Sequence, residues 1–210
     1  DVHNAYRIKI NDKVDSTLSI LSDIVDQELF ENKTAEVVPF KEFFKGVTVI
    51  DLKTLGQDDN TKNMLVVIFL HLFYEHMLKI EKKAPVGDNP TLRFIDSLLL
   101  VDEANSIMKY NFDVLDNILL QGREFGVGVL LASQYLSHFR TQQKNYAQPL
   151  LTWFIHKVPN ITKKELESIG LTDIDTDIIE RIKSLNLHEC LYKSFDTRKK
   201  GTFMYGYPFY

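Results

Sequence analysis

Apolar residues first recur at helical spacing over residues 14–30. There Leu18, Leu21, Ile24, Val25 and Leu29 predict one face of an amphipathic helix. After a break near Asn32 and Lys33, the stretch VTVIDL at 47–52 is β-branched and mostly apolar. It predicts a strand, closed by the polar run GQDDN at 56–60. Residues 61–82 give a long helical pattern, apolar nearly all round from Met64 to Tyr74, which predicts burial on most sides. The Pro-, Gly- and Asn-containing segment 83–90 reads as a loop.

The continuous apolar run Leu98-Leu99-Leu100-Val101 fits a central strand of a parallel sheet covered on both faces. Residues 111–124 predict a helix with Phe112, Leu115, Ile118 and Leu119 on one face. A buried strand follows at 127–132 and a fourth strand at 150–155. Two short helices are expected over 162–169 and 174–185, the first opened by a Thr162/Glu165 capping box. Residues 188–195 and 201–207 read as two strands around the basic turn Arg198-Lys199-Lys200. Strand and helix alternate, which predicts an α/β fold with a mainly parallel sheet. Three parts are expected: a helical lead-in over 1–45, a core over 46–160, and helices with a hairpin over 161–210.

Composition adds limits. The 210 residues are 44% hydrophobic and 26% charged, which excludes wholesale disorder. The net charge of −4 divides unevenly, −6 over residues 1–105 and +2 over 106–210. Bulk charge therefore does not make the chain a nucleic-acid wrapper. One cysteine, Cys190, excludes an internal disulfide framework and a Cys-rich zinc site, and is expected to be a buried structural thiol. No run reaches the ~20 apolar residues of a membrane span. The start, Asp1-Val-His-Asn, lacks an initiator Met and a signal pattern, and reads as a boundary inside a longer protein.

The chemistry concentrates at Asp102 and Glu103. Four apolar residues followed by two acids place both carboxylates at the carboxyl end of a buried strand, the edge where open parallel sheets bind ligands. In nucleotide hydrolases the Asp of such a strand holds Mg²⁺, and an adjacent Glu accepts a proton from the attacking water. The bland alternative is a polar turn that caps the following helix. The strand at 127–132 ends in Ser133-Gln134, and a glutamine there can orient water or sense phosphate. Arg123, in GREFG at a helix end, could reach a phosphate on a neighbouring subunit, or could serve only as a cation at a helix C-terminus.

The stretch LLLVDEANSIMKYNFDVLDNILLQGREFGVGVLLASQYLSHF resembles the C-terminal half of the HerA/FtsK superfamily of P-loop ATPases. That family has a strand ending in Asp-Glu, an Arg-x-x-Gly element, and a strand ending in Ser/Thr-Gln. All three stand here in that order, with the VTVIDL strand and long helix upstream. The resemblance is strong over about 46–140. It implies a RecA-like sheet with helices on both faces. It also implies that Asp102 binds Mg²⁺, Glu103 is the catalytic base, Gln134 the sensor and Arg123 a finger acting in trans. By it, the cofactors are ATP and Mg²⁺, the track is DNA, the assembly is a ring (a hexamer) and the compartment is the bacterial or archaeal cytoplasm. The tail Gly206-Tyr-Pro-Phe-Tyr210 is similar to that of HerA-type ATPases of a phosphorothioation-dependent restriction system, which implies a defence role with a nuclease partner.

One departure is large. None of the nine glycines precedes a lysine, so the phosphate-cradling G-x-x-x-x-G-K-[ST] loop is missing from these 210 residues. They are expected to hold half an active site and to hydrolyse no ATP alone. Two alternatives share the same residues: a non-catalytic assembly module and a secretion or conjugation ATPase. Other candidates weigh less. His71 and His76 lie five apart, not at the i, i+4 spacing of a helical metal pair, and His71 is expected in the core. Ser133 and His138 lack a G-x-S-x-G elbow. Phe203, Tyr205, Tyr207 and Phe209 alternate as one face of a packed strand or a base-stacking platform, with Trp153 in an earlier strand.

Overall fold

A computed structural model describes residues 22, 25, 37–52, 59–194 and 201–206. Of the helix expected over 14–30, residues 22 and 25 are helical and the rest lies outside the described residues. So do the basic turn at 198–200 and the tail residues 207–210. The chain divides into two compact units, residues 1–76 and 77–210.

In the first unit, α1 (Phe40–Phe43) is a single turn and α2 (Asp59–Leu78) is the long helix foreseen from its pattern, continuing past the unit boundary. Leu65, Val66, Leu70 and Phe73 are buried, while Leu72 is exposed. Rings hold α1 to α2: Phe43 stacks on Phe69 at 6.1 Å, Phe44 meets Phe73 edge-on at 5.7 Å, and Phe40 meets His76 at 5.9 Å. Two expectations fail here. His71 is exposed, because it falls on the solvent side of a helix whose core side is set by Leu70 and Phe73. Residues 47–51 form no strand, and Val47 and Val49 are exposed. β-branched residues favour extended backbone, but a strand also needs a neighbour to accept its hydrogen bonds, and none pairs with this stretch among the described residues.

The second unit is mixed α/β. β1 (Ser97–Val101) pairs in parallel with β2 (Val127–Leu131), Leu99 opposite Val129 and Val101 opposite Leu131. The chain between them forms α3 (Asn105–Met108), α4 (Asp113–Gln121) and a 3₁₀ turn, Gly122–Phe125. α4 buries Val114, Leu115 and Ile118 at i, i+1 and i+4, close to the stripe its sequence shows. Gly126 ends the turn at φ +74°. A Cβ there would sit 3.0 Å from the Phe94 carbonyl oxygen, so glycine fits both the angle and the space.

β3 (Trp153–Ile155), β4 (Glu189–Lys193) and β5 (Thr202–Tyr205) form an antiparallel sheet in that order. Among the described residues the expected mainly parallel sheet therefore holds for β1 and β2; β3 joins a second sheet, where its buried Trp153 and Ile155 face inward and Phe154 outward. Between β3 and β4 lie α5 (Lys163–Ser168) and α6 (Thr176–Lys183). The capping box of α5 is complete: Glu165 N–H donates to Thr162 Oγ1 at 3.3 Å, and Thr162 N–H donates to Glu165 Oε2 at 2.9 Å. Asp175 caps α6 by accepting from Ile178 N–H at 2.9 Å. Cys190 is buried in β4, as expected. Phe203 lies under the Arg181 guanidinium at 3.9 Å, while Tyr205 is exposed. No helix among the described residues is long and apolar enough to cross a membrane.

Candidate functional site

Because β1 and β2 are parallel, their carboxyl ends emerge at one edge. The ladder continues one step past the strands: Ala132 N–H donates to Val101 O at 2.9 Å, and Ala104 N–H donates to Ala132 O at 2.8 Å. These bonds bring residues 102–104 alongside 132–134. Gln134 Nε2 then donates to Glu103 Oε1 at 3.0 Å, across thirty-one positions of sequence. The structure thus joins three residues singled out by pattern: Asp102, Glu103 and Gln134. All three are exposed and open to a ligand at this edge.

Local geometry aims the acids. Glu103 has φ +49°, in the left-handed region that non-glycine residues avoid. Its N–H donates to Asp102 Oδ1 at 3.0 Å, and its carbonyl accepts from Ser106 N–H at 2.9 Å and Ser106 Oγ at 2.8 Å. These bonds hold the turn from strand into α3. Ala104 and Met108 are fully buried beneath it, so the turn rests on packed side chains. With its NH₂ toward Glu103, the Asn105 amide donates at 3.2 Å to Glu103 Oε2 and at 3.2 Å to the Glu103 carbonyl. Asn105 was not foreseen as functional, although it stands two residues after Glu103 in the same DEAN string.

Arg123 is elsewhere. It is exposed in the 3₁₀ turn before the amino end of β2, where Gly126 O accepts from Asp96 N–H at 2.8 Å. The acids lie at the other end of the same strands, about 15 Å away along a five-residue strand. The structure does not bring Arg123 to Asp102, Glu103 or Gln134 within one chain. The turn itself is anchored by Lys82 Nζ on Glu124 Oε2 at 2.6 Å, which holds the Glu124 carboxyl below its ordinary range.

Ser133 Oγ and His138 Nδ1 share a hydrogen bond of 2.8 Å, with Tyr135 edge-on to the imidazole at 5.1 Å. No carboxylate partners His138 among the described residues, so the pair lacks the third member of a hydrolytic triad. Its position fits a brace for the Gln134 loop. Beyond it, Lys144 staples the following loop to α4, reaching Asp113 at 2.6 Å and Asp116 at 2.5 Å. Burial works against the Lys144 charge, but the two carboxylates outweigh it and raise its pKa, and Lys144 in turn lowers that of Asp113. Buried Tyr146 beside them is pushed up to about 12, by burial first and then by Asp116. This staple escaped the sequence because its partners lie about thirty positions apart.

Asp102 suits Mg²⁺ by its chemistry: a hard carboxylate oxygen at an exposed sheet edge. Mg²⁺ bound through substrate phosphates needs only one or two protein carboxylates, so the absence of a three-residue metal cluster among the described residues does not conflict with it. No protein-family model matches the chain, and no curated protein matches it significantly.

Proposed function

We propose that this chain carries the acid and sensor half of an ATP-driven DNA translocase of HerA/FtsK type, in which ATP is hydrolysed between the subunits of a ring. One observation carries the reading: the Gln134 amide rests on the Glu103 carboxylate at the shared carboxyl edge of two parallel strands, with Asp102 beside it. Glu103 accepts the proton of the attacking water. Gln134, whose NH₂ donates to that carboxylate or to a phosphate oxygen in its place, senses the phosphate being cleaved. Asp102 holds Mg²⁺, which neutralises charge on the phosphate oxygens when bound. Arg123, at the far end of the strands, serves the site of an adjacent subunit and not its own. Contact with DNA is phosphate-directed and weakens with salt.

The phosphate-cradling loop is missing from these residues, so turnover requires it from outside them. The test is ATP turnover by a polypeptide that joins residues 1–210 to a G-x-x-x-x-G-K-[ST] segment of its own gene, with and without duplex DNA. DNA-stimulated turnover is expected, and none from residues 1–210 alone. Turnover by the 210 residues alone overturns the half-site. Arg123→Ala should lower turnover only in the assembled ring; an equal defect in a monomeric form overturns the trans role.

A further inference from the structure

We infer that Asn105 is a positioning residue for Glu103, and that Asn105 and Gln134 together clamp its carboxylate. The inference rests on the reading of Glu103 as the base. Each carboxylate oxygen faces one amide: Oε1 accepts from Gln134 at 3.0 Å, and Oε2 lies 3.2 Å from the Asn105 amide, which donates to it once the amide is turned to put its NH₂ toward the acid. A carboxylate engaged at both oxygens is held in one orientation, and a water must compete with an amide for the oxygen it needs.

The two arms differ in their support. Asn105 opens α3 between fully buried Ala104 and Met108, and in the same turned orientation its amide also donates to the Glu103 carbonyl. It is the fixed arm. Gln134 is exposed, in the loop after β2, and its side chain reaches Glu103 alone among the described residues. It is the arm that can leave. When a phosphate draws Gln134 away, Asn105 still holds Oε2, so Oε1 is the oxygen left to take the proton of water. Asn105 thereby decides which oxygen acts and where it points. The turn at Glu103 is itself held by the Asp102 and Ser106 bonds, so the side chain starts from a fixed backbone.

Two measurements test this separately from the ATPase reading. In residues 1–210, the side-chain NH₂ signals of Asn105 and Gln134 are followed by ¹H–¹⁵N NMR. Glu103→Ala should move both, and Gln134→Ala should leave the Asn105 signal near its native position. An Asn105 signal that ignores Glu103→Ala overturns the clamp. In the ATP-hydrolysing polypeptide, Asn105→Ala should lower kcat about ten-fold with nucleotide Kd unchanged, the size of one hydrogen bond to a charged group. Asn105→Asp keeps the size of the side chain but sets a second carboxylate against Glu103, and should lower kcat further. It also serves if the alanine variant folds poorly. Loss of affinity with kcat unchanged overturns the positioning role. An inactive native polypeptide sinks the ATPase reading instead, and the NMR result still decides the clamp.

Discussion

The two sheets of residues 77–210 are covered differently. In the antiparallel sheet, Trp153, Ile155, Cys190 and Leu191 are all buried, and Leu191 is at 0% exposure. Both nearby helices carry a side-chain N-cap, and Arg181 of α6 lies over Phe203 of β5. The parallel pair buries Val101 and Val127 on one face but leaves Leu98 and Leu100 of β1 at 58% and 59% exposure, and Leu130 of β2 at 44%. Parallel strands are ordinarily covered on both faces, so this pair is the less finished structure. It nevertheless carries Asp102, Glu103 and Gln134. The comparison sets a well-covered sheet against one that leaves an open face and an edge lined by Asp102, Glu103 and Gln134.

The largest expected effect breaks chemistry and spares fold. Glu103→Gln should reduce ATP turnover by at least about a hundred-fold while nucleotide binding and thermal stability largely persist, since the variant keeps the side chain's size but loses the base. Turnover that survives the substitution removes Glu103 from the role. Next comes a pair of core substitutions measured by urea denaturation. Leu191→Ala should cost about 2–5 kcal/mol, as for other fully buried leucines. Leu100→Ala should stay within about 0.5 kcal/mol, as for a surface position. Equal costs would show that the exposed face of β1 is covered in solution, and the contrast between the sheets would collapse.

Smaller effects sharpen the same contrast. Thr162→Ala removes half of a capping box and should lower stability by about 1 kcal/mol. No loss would mean that the helices beside the antiparallel sheet do not depend on local caps. The mildest effect is on pH dependence. Tyr146 and Lys144 both have raised pKa values in the fold, Tyr146 to about 12. The folded state therefore keeps protons that the unfolded state sheds above about pH 10, and stability should fall as pH rises from there. Asp113 is lowered, so its contribution is present above about pH 4 and fades in more acid solution. Tyr146→Phe should flatten the alkaline limb of a denaturation series; an unchanged limb assigns it to other groups.

Much of this was legible from pattern. The runs at Leu98–Val101 and in GVGVLLA read as strands, as found, but the burial expected on both faces fails, with Leu98, Leu100 and Leu130 exposed. Thr162 and Glu165 announced a helix start because the capping box is local. The acids and Gln134 were legible as a set because a parallel pair must bring its carboxyl ends together. What stayed hidden depends on partners distant in sequence. VTVIDL has the composition of a strand, but composition cannot say whether a neighbour exists. His71 lies in an apolar run, yet its exposure follows from which helix face turns inward. Lys144 meets Asp113 and Asp116 only after α4 and the later loop have folded back. The Asn105 contact depends on the left-handed turn at Glu103, and no residue there signals that turn by being glycine.

That turn has a consequence for how the molecule tolerates change. A glycine at position 103 would occupy φ +49° without the penalty a side chain pays there, of the order of 1 kcal/mol. The bonds from Ser106 to the Glu103 carbonyl hold the corner in this conformation and limit how large that cost becomes.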